Sequence, residues 1–332
     1  MITEEHHIVY ELDEALEIKR SDIPNHLLVK PEIDVLLNNA LSDWLMLVIF
    51  CVGAFYLPHL LYPISVLLIA SRYHSFGVIL HDVVHMPMKK KTIKFRILEI
   101  LTGYPIGSTI NAMRYHHLRH HKDSGMETDP YFKKGVAGNK IIKFLHIFRA
   151  VILVPFWTIR GLYGSIAFYI KALRNSYARI FLQDKGKRDL SEDAEVKQCA
   201  GEDRWQLLFH LALYSLLLVY PKLFLDFYLF PILISGIFSG YRLLNEHNYL
   251  ETTDRKPSTI IATTKDNHLS GILKYFLAPK NIGYHIVHHL HPQVAWYKLP
   301  DLREWYTVNR GDIYFVAKNS KIVGGGVDES GN

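Results

Sequence analysis

Four short stretches hold 11 of the chain's 19 histidines, at spacings that gather rings rather than scatter them. "HDVVH" places His81 and His85 at i, i+4, and "YHHLRHH" carries His116, His117, His120 and His121. "NEHNYL" adds His247, and "NIGYHIVHHLHP" carries His285, His288 and His289. Positions i, i+3 and i+4 of a helix share one face, so each HxxHH aims three rings at one region. Neutral imidazole is the commonest protein metal ligand. The His pair, the two HxxHH triads and His247 make nine imidazoles. A structural zinc takes four ligands and commonly uses cysteine, whereas nine ring nitrogens suit two metals of four to five ligands each. Iron, with open positions where oxygen binds, is the natural candidate, although spacing alone does not separate it from zinc or manganese.

Only a fold can bring stretches so far apart together, and composition sets its surroundings. Of 332 residues, 49% are hydrophobic and 13% aromatic, a balance expected of a membrane protein with interfacial Trp and Tyr. From Trp44 to Ser71 there is no Asp, Glu, Lys or Arg, a run longer than the roughly 20 apolar residues that cross a bilayer. Pro58 and Pro63 interrupt it, which predicts a helical hairpin with arms near 43–57 and 63–80; a single tilted span is the competing reading. A second hairpin is expected at about 205–220 and 223–244, turning at Pro221 and Lys222. His81 follows the second arm and His247 the fourth, so all histidine stretches fall on one side of the membrane. The expected fold is therefore an all-α membrane protein: two transmembrane hairpins, about four spans, under a cytosolic helical cap that carries a histidine-rich dimetal site.

Charge agrees with that arrangement. The outer turns "PHLLY" and "PK" carry one lysine between them, while "KKKTIKFR", "KKGVAGNKIIK", "KALRNSYAR" and "DKGKRD" fall on the other side, as the positive-inside rule expects of the cytosol. The net charge of +6 is then orientation and headgroup attraction, and no nucleic-acid motif accompanies it. Residues 141–170 are apolar but contain Lys143, Arg149 and Arg160, which predicts interfacial helices lying on the membrane, with a fifth or sixth span as the weaker alternative. Residues 1–42 read as a cytosolic segment without a secretory leader, 43–310 as the membrane domain, and 311–332 as a tail ending in a disordered "GGGVDESGN". Two cysteines, Cys51 and Cys199, allow no disulfide scaffold.

"HDVVH", "HHLRHH" and "GYHIVHHLHP" resemble, in type, spacing and order, the three histidine boxes of the integral-membrane fatty acid desaturase superfamily, over roughly residues 44–305. That superfamily includes membrane alkane hydroxylases, sphingolipid desaturases and carotenoid hydroxylases and ketolases. The resemblance implies two iron ions held by His81 and His85, by His117, His120 and His121, by His285, His288 and His289, and by His247 after the last span. His116 could displace His117, because the superfamily tolerates both HxxHH and HxxxHH; "HLxHH" favours His117. Asp82, Glu246, Asp129, Asn245 and Asn281 are candidates for orienting ligating rings. Glu246 could instead pair with Arg242 at i, i+4, and Asp129 could serve the turn before Pro130. His291 is expected in a supporting or solvent role, and the remaining histidines have no metal spacing.

The implied activity is that of a dioxygen-dependent monooxygenase-type oxidoreductase acting on a fatty-acyl or lipid chain. Removal of a second hydrogen gives a double bond, and hydroxyl rebound gives an alcohol, so a hydroxylase or ketolase of a lipid, alkane or carotenoid is the alternative. The reading "HHLHP" favours desaturation. With no Fe–S cysteine cluster, flavin fingerprint or haem stretch in the sequence, electrons are expected from an external ferredoxin or cytochrome b5 docking on the basic face. A non-oxidative membrane zinc protein would need fewer histidines, with acids inside the spans, where only Asp226 is expected.

Overall fold

The computed structural model describes residues 19–311, except 57, 89, 137 and 138. The start of the expected N-terminal segment and nearly all of the expected tail lie outside the described residues. Among those described there is no strand, only an isolated bridge between His247 and Thr264. The helices are α1 (Ile33–Tyr56), α2 (Tyr62–Val83), α3 (Ile93–Leu98), α4 (Ile110–Asp123), α5 (Lys140–Tyr169), α6 (Arg174–Phe181) and α7 (Ala194–Val219). They continue with α8 (Pro221–Phe224), α9 (Phe230–Asn245), α10 (Pro257–Thr263), α11 (Gly271–Leu277), α12 (His285–Leu290) and α13 (Leu299–Asn309). A π-turn, Leu225–Leu229, joins α8 to α9 in one continuous helix, Pro221–Asn245.

The first hairpin forms where Pro58 and Pro63 fall. α1 and α2 are antiparallel neighbours, and α1 starts ten residues before the expected arm, at Ile33. Its polar residues are why: Asp43 is an acid inside the helix, but Arg72 Nη1 meets its Oδ1 at 2.7 Å and Ser75 Oγ donates to its Oδ2 at 2.6 Å. Paired in this way, a charge no longer marks a helix boundary. Asp226 is thus not alone among acids in the spans.

Among the described residues three helices are long and apolar enough to cross a membrane: Ile33–Tyr56, Tyr62–Val83 and Pro221–Asn245. The expected arm at 205–220 is the apolar C-terminal half of α7. Its N-terminal half carries Glu202 and Asp203, so the whole helix falls short of the apolar span expected there. Segment 141–170 is one continuous 30-residue helix rather than separate pieces, packed along α7 and α9. Leu41, Leu45, Ile49, Val52 and Phe55 of α1 are exposed, as are Ile152, Ile159 and Leu162 of α5 and Leu208 and Leu211 of α7. A soluble monomer rarely leaves contiguous apolar bands of this kind; with three helices of spanning character, they mark an integral membrane protein.

Two cores hold the histidine-bearing elements. Ile79, Leu80, Val83 and Val84 at the end of α2 pack with Ile286, Val287, Val294, Trp296 and Leu299, so burial fixes α12 against α2. Ala112 and Tyr115 of α4 pack with Ala167, Tyr177, Ala178 and Cys199 of α5, α6 and α7. The start of α4 is fixed twice: the Thr109 hydroxyl caps it by accepting from the Ala112 N–H at 3.1 Å, and Glu99 Oε1 accepts from the Ile110 N–H at 2.7 Å.

Candidate metal centre

The nine expected histidines converge. His81 ends α2, and His85 lies in the turn that closes it, because the helix stops at Val83. His117, His120 and His121 sit on α4, the last two in its final turn. His285, His288 and His289 lie on α12, which begins at His285. His247 follows α9 in the bridge to Thr264. One nitrogen from each of His81, His85, His117, His121 and His288 lies within 4.8 Å of the others, and the same holds for His120, His247 and His289. His285 joins the second group through its Nε2, 3.1 Å from His247 Nε2.

The division follows helix geometry. In the second box the i, i+4 pair His117 and His121 serves the first group and His120 the second. In the third box the i, i+4 pair His285 and His289 serves the second group and His288 the first. One helical turn thus feeds two neighbouring points, and the ring centroids of His121 and His289 stack 4.2 Å apart where the groups meet.

The donor chemistry fits cations. His120 Nδ1 donates to Asp129 Oδ1 at 2.8 Å, and His247 Nδ1 donates to the Leu243 carbonyl at 3.3 Å. A neutral imidazole carries one N–H, so both Nε2 atoms hold lone pairs, and these face each other at 3.0 Å. Two lone pairs at that distance repel unless a positive centre lies beside them. In the first group His117 Nε2 lies 3.0 Å from Nε2 of both His85 and His121, and His121 Nε2 lies 3.1 Å from that of His288. Seven of the rings are also held neutral, the ligating form. Burial, then Arg114, pulls His85 down to about 3. Burial, then His120, does the same to His247. Burial, then the neighbouring imidazoles, holds His117, His121, His285, His288 and His289 well below the usual histidine range.

Around these rings the expected supports divide. Burial alone would raise the Asp129 carboxyl, but His120 and the N–H groups of Gly125 and Tyr131 outweigh it and lower it. Glu246 forms two 2.9 Å bonds with Arg242, the i, i+4 pairing expected as its alternative, and also lies 3.6 Å from His285 Nδ1. Burial raises its carboxyl against that pull. Asp82 reaches no ligating ring and faces the Trp296 backbone. Asn245 and Asn281 donate to the Tyr241 and Trp296 carbonyls, away from the rings. His116 stays outside both groups, with its Nδ1 2.8 Å from the Tyr131 hydroxyl. His291 pairs with Tyr306 at 2.6 Å.

Tyr131 was not legible beforehand: its ring stacks on His120 with centroids 4.4 Å apart. It also lines a cavity of about 260 Å³ that opens on His81, His117, His120, His247 and His285, and so on both groups. Tyr73, Ile106, Met113, Ile232 and Leu243 supply apolar wall. No motif announces this cavity, because its lining comes from five helices far apart in sequence, α2, α4, α5, α9 and α12.

The fatty acid desaturase family profile matches residues 56–314, most of the chain and every histidine just described. The chain belongs to the fatty acid desaturase family. No individual curated protein matches it. For a fatty acid desaturase family member, the donor set, the membrane-type helices and the cavity together point to an oxidoreductase of the desaturase or hydroxylase kind acting on a lipid.

Proposed function

We propose that this protein is a membrane diiron oxidoreductase that uses dioxygen to introduce a double bond into a fatty-acyl or lipid chain. The observation that carries the reading is the pair of facing lone pairs on His120 and His247, beside a cavity lined by imidazoles of both groups. His81, His85, His117, His121 and His288 would hold one iron, and His120, His247, His285 and His289 the other. Bound there, the irons would supply activation of dioxygen for hydrogen removal from an unactivated C–H bond. The chain's own part is positional. Asp129 fixes the ring of His120, Glu246 sets a carboxylate 3.6 Å from His285 Nδ1, and Tyr131 closes the wall over His120. The apolar lining then excludes water and aims one carbon.

Two hairpins, a site facing the cytosol, and electrons from an external ferredoxin or cytochrome b5 complete the proposal. The all-imidazole donor set, the membrane-type helices and the basic loops support it.

The test is elemental analysis of purified protein together with lipid mass spectrometry on cells expressing it, with ferredoxin supplied. Two irons per chain and new lipids lighter by two hydrogens are expected. One zinc without iron overturns the mechanism, and lipids heavier by one oxygen replace desaturation with hydroxylation.

A further inference from the structure

The cavity beside the imidazoles is more polar than a hydrocarbon tail needs. Its lining on α9 is one stripe, Ile232, Ser235, Gly236, Ser239, Arg242 and Glu246, which runs about 21 Å along the axis at about 1.5 Å per residue. Arg242 belongs to a helix of membrane-spanning character, and Arg160 of α5, 1% exposed, lines the same cavity. A few polar groups set in a mostly apolar pocket are what orients a ligand.

Each guanidinium is already matched to a carboxylate. Arg160 Nε donates to Asp203 Oδ2 at 3.0 Å and its Nη2 to Gln206 Oε1 at 2.7 Å. Arg242 gives Nε and Nη2 to the two oxygens of Glu246. In both residues Nη1 meets no acceptor among the described residues. A structural tie between α5 and α7 accounts for the Nε and Nη2 bonds of Arg160, but not for placing two guanidiniums with spare donors in one cavity.

We propose that the cavity binds a lipid whose neutral oxygen function, an amide or ester carbonyl or a hydroxyl, enters beside the metal-binding histidines and accepts from Arg160 and Arg242. The alternative is a substrate that threads only hydrocarbon past the histidines and leaves its head at the membrane surface. Two donors that are charge-neutralised by Asp203 and Glu246 suit an uncharged acceptor, since neither cation remains to balance a buried anion. The position of Arg242 places the oxygen near the reacting carbon: Glu246, which it holds, is 3.6 Å from His285 Nδ1. The inference rests on the oxidoreductase reading for the identity of the reaction, but the binding it describes is measurable apart from it.

The experiment measures binding to the loaded protein in nanodiscs without oxygen, using an alkane, an alcohol, an N-methyl amide and a free acid of one chain length. The amide and alcohol should bind about tenfold more tightly than the alkane, as befits hydrogen bonds to charged donors. In R160K, and separately in R242K, the positive charge remains for the carboxylate but the spare fork donor is gone, and the preference should shrink to less than about threefold. Helix content and metal content are measured on the same samples. Equal binding of alkane and amide by the wild type needs no variant to read and overturns the inference, as does a preference that survives both substitutions. A free acid that binds more tightly than the amide overturns the neutral head group. Zinc-only protein that still prefers the amide would sink the oxidoreductase reading and support this one. Two irons with no preference would do the reverse.

Discussion

Asp129→Asn is the sharpest single test of how the site is built. The carboxylate is 2% exposed and accepts three bonds: from His120 Nδ1 and the Tyr131 N–H on Oδ1, both at 2.8 Å, and from the Gly125 N–H on Oδ2 at 2.9 Å. Asparagine keeps the shape but offers one accepting oxygen. If that oxygen stays with His120 and Tyr131, the new NH₂ points at the Gly125 N–H, donor against donor. If the amide flips, His120 loses its acceptor and with it the tautomer that leaves a lone pair on Nε2. The first arrangement loses one buried bond and the second loses two, at a cost of about 1–3 kcal/mol in stability for each. Metal affinity should fall about 10- to 100-fold, or roughly 1.4–2.7 kcal/mol, as for other groups that orient a ligating ring. Chelator competition on the purified protein measures the affinity, and thermal unfolding followed by circular dichroism measures the stability. A folded D129N protein with affinity within about twofold of wild type would refute the claim that Asp129 orients a ligand.

Further outcomes follow from other contacts. His288→Ala should lose at least one metal per chain by elemental analysis, whereas His291→Ala, which removes only a partner of Tyr306, should keep both. His85 and His247 are held at about 3 in the fold against an ordinary value of 6.5. The unfolded chain therefore takes up protons first, and the stability these rings contribute is full above about 6.5 and is lost as pH falls toward 3. At about pH 5.5 each ring costs about 1.4 kcal/mol, visible as a lower unfolding midpoint than at neutral pH; a midpoint unchanged by acid would contradict the buried neutral rings. Gly283→Ala should destabilise by about 1–3 kcal/mol in thermal unfolding, because its Cβ would lie 2.4 Å from the Asn267 carbonyl oxygen just before α12. Cysteines at the exposed positions of Glu127 and Lys187 should react with an impermeant reagent from the cytosolic side only, and a label reaching Lys187 from the opposite side would break the hairpin scheme.

The histidine pattern was legible because it is local: i, i+3 and i+4 on α4 and α12 are fixed by helix geometry before any tertiary contact forms. His247 was legible only through its position after an apolar arm. Tyr131 and Arg160 were not, since each matters through neighbours from other helices, and an arginine inside an apolar stretch reads as an interruption until its carboxylate is found; Arg242 was legible only as the i, i+4 partner of Glu246, not as part of a cavity wall. The start of α1 was missed for the same reason, with Asp43 concealed by Arg72 and Ser75. α7 misled in the opposite direction: its apolar half resembles a span, and its charged half is buried against α5, where Asp203 holds Arg160.

The crossed allotment of the two HxxHH turns has a mechanical consequence. His120 and His121 are consecutive, as are His288 and His289, and consecutive residues of a helix diverge by about 100°. The spacing between the two nitrogen clusters is therefore gauged by the backbone of a single turn, the stiffest ruler a protein has, and not by how tightly the helices pack. Breathing of the bundle, or a lipid wedging α9 from α2, would widen the cavity long before it altered that spacing. A one-residue insertion between His120 and His121 would instead shift the two clusters relative to each other, although every histidine would still be present.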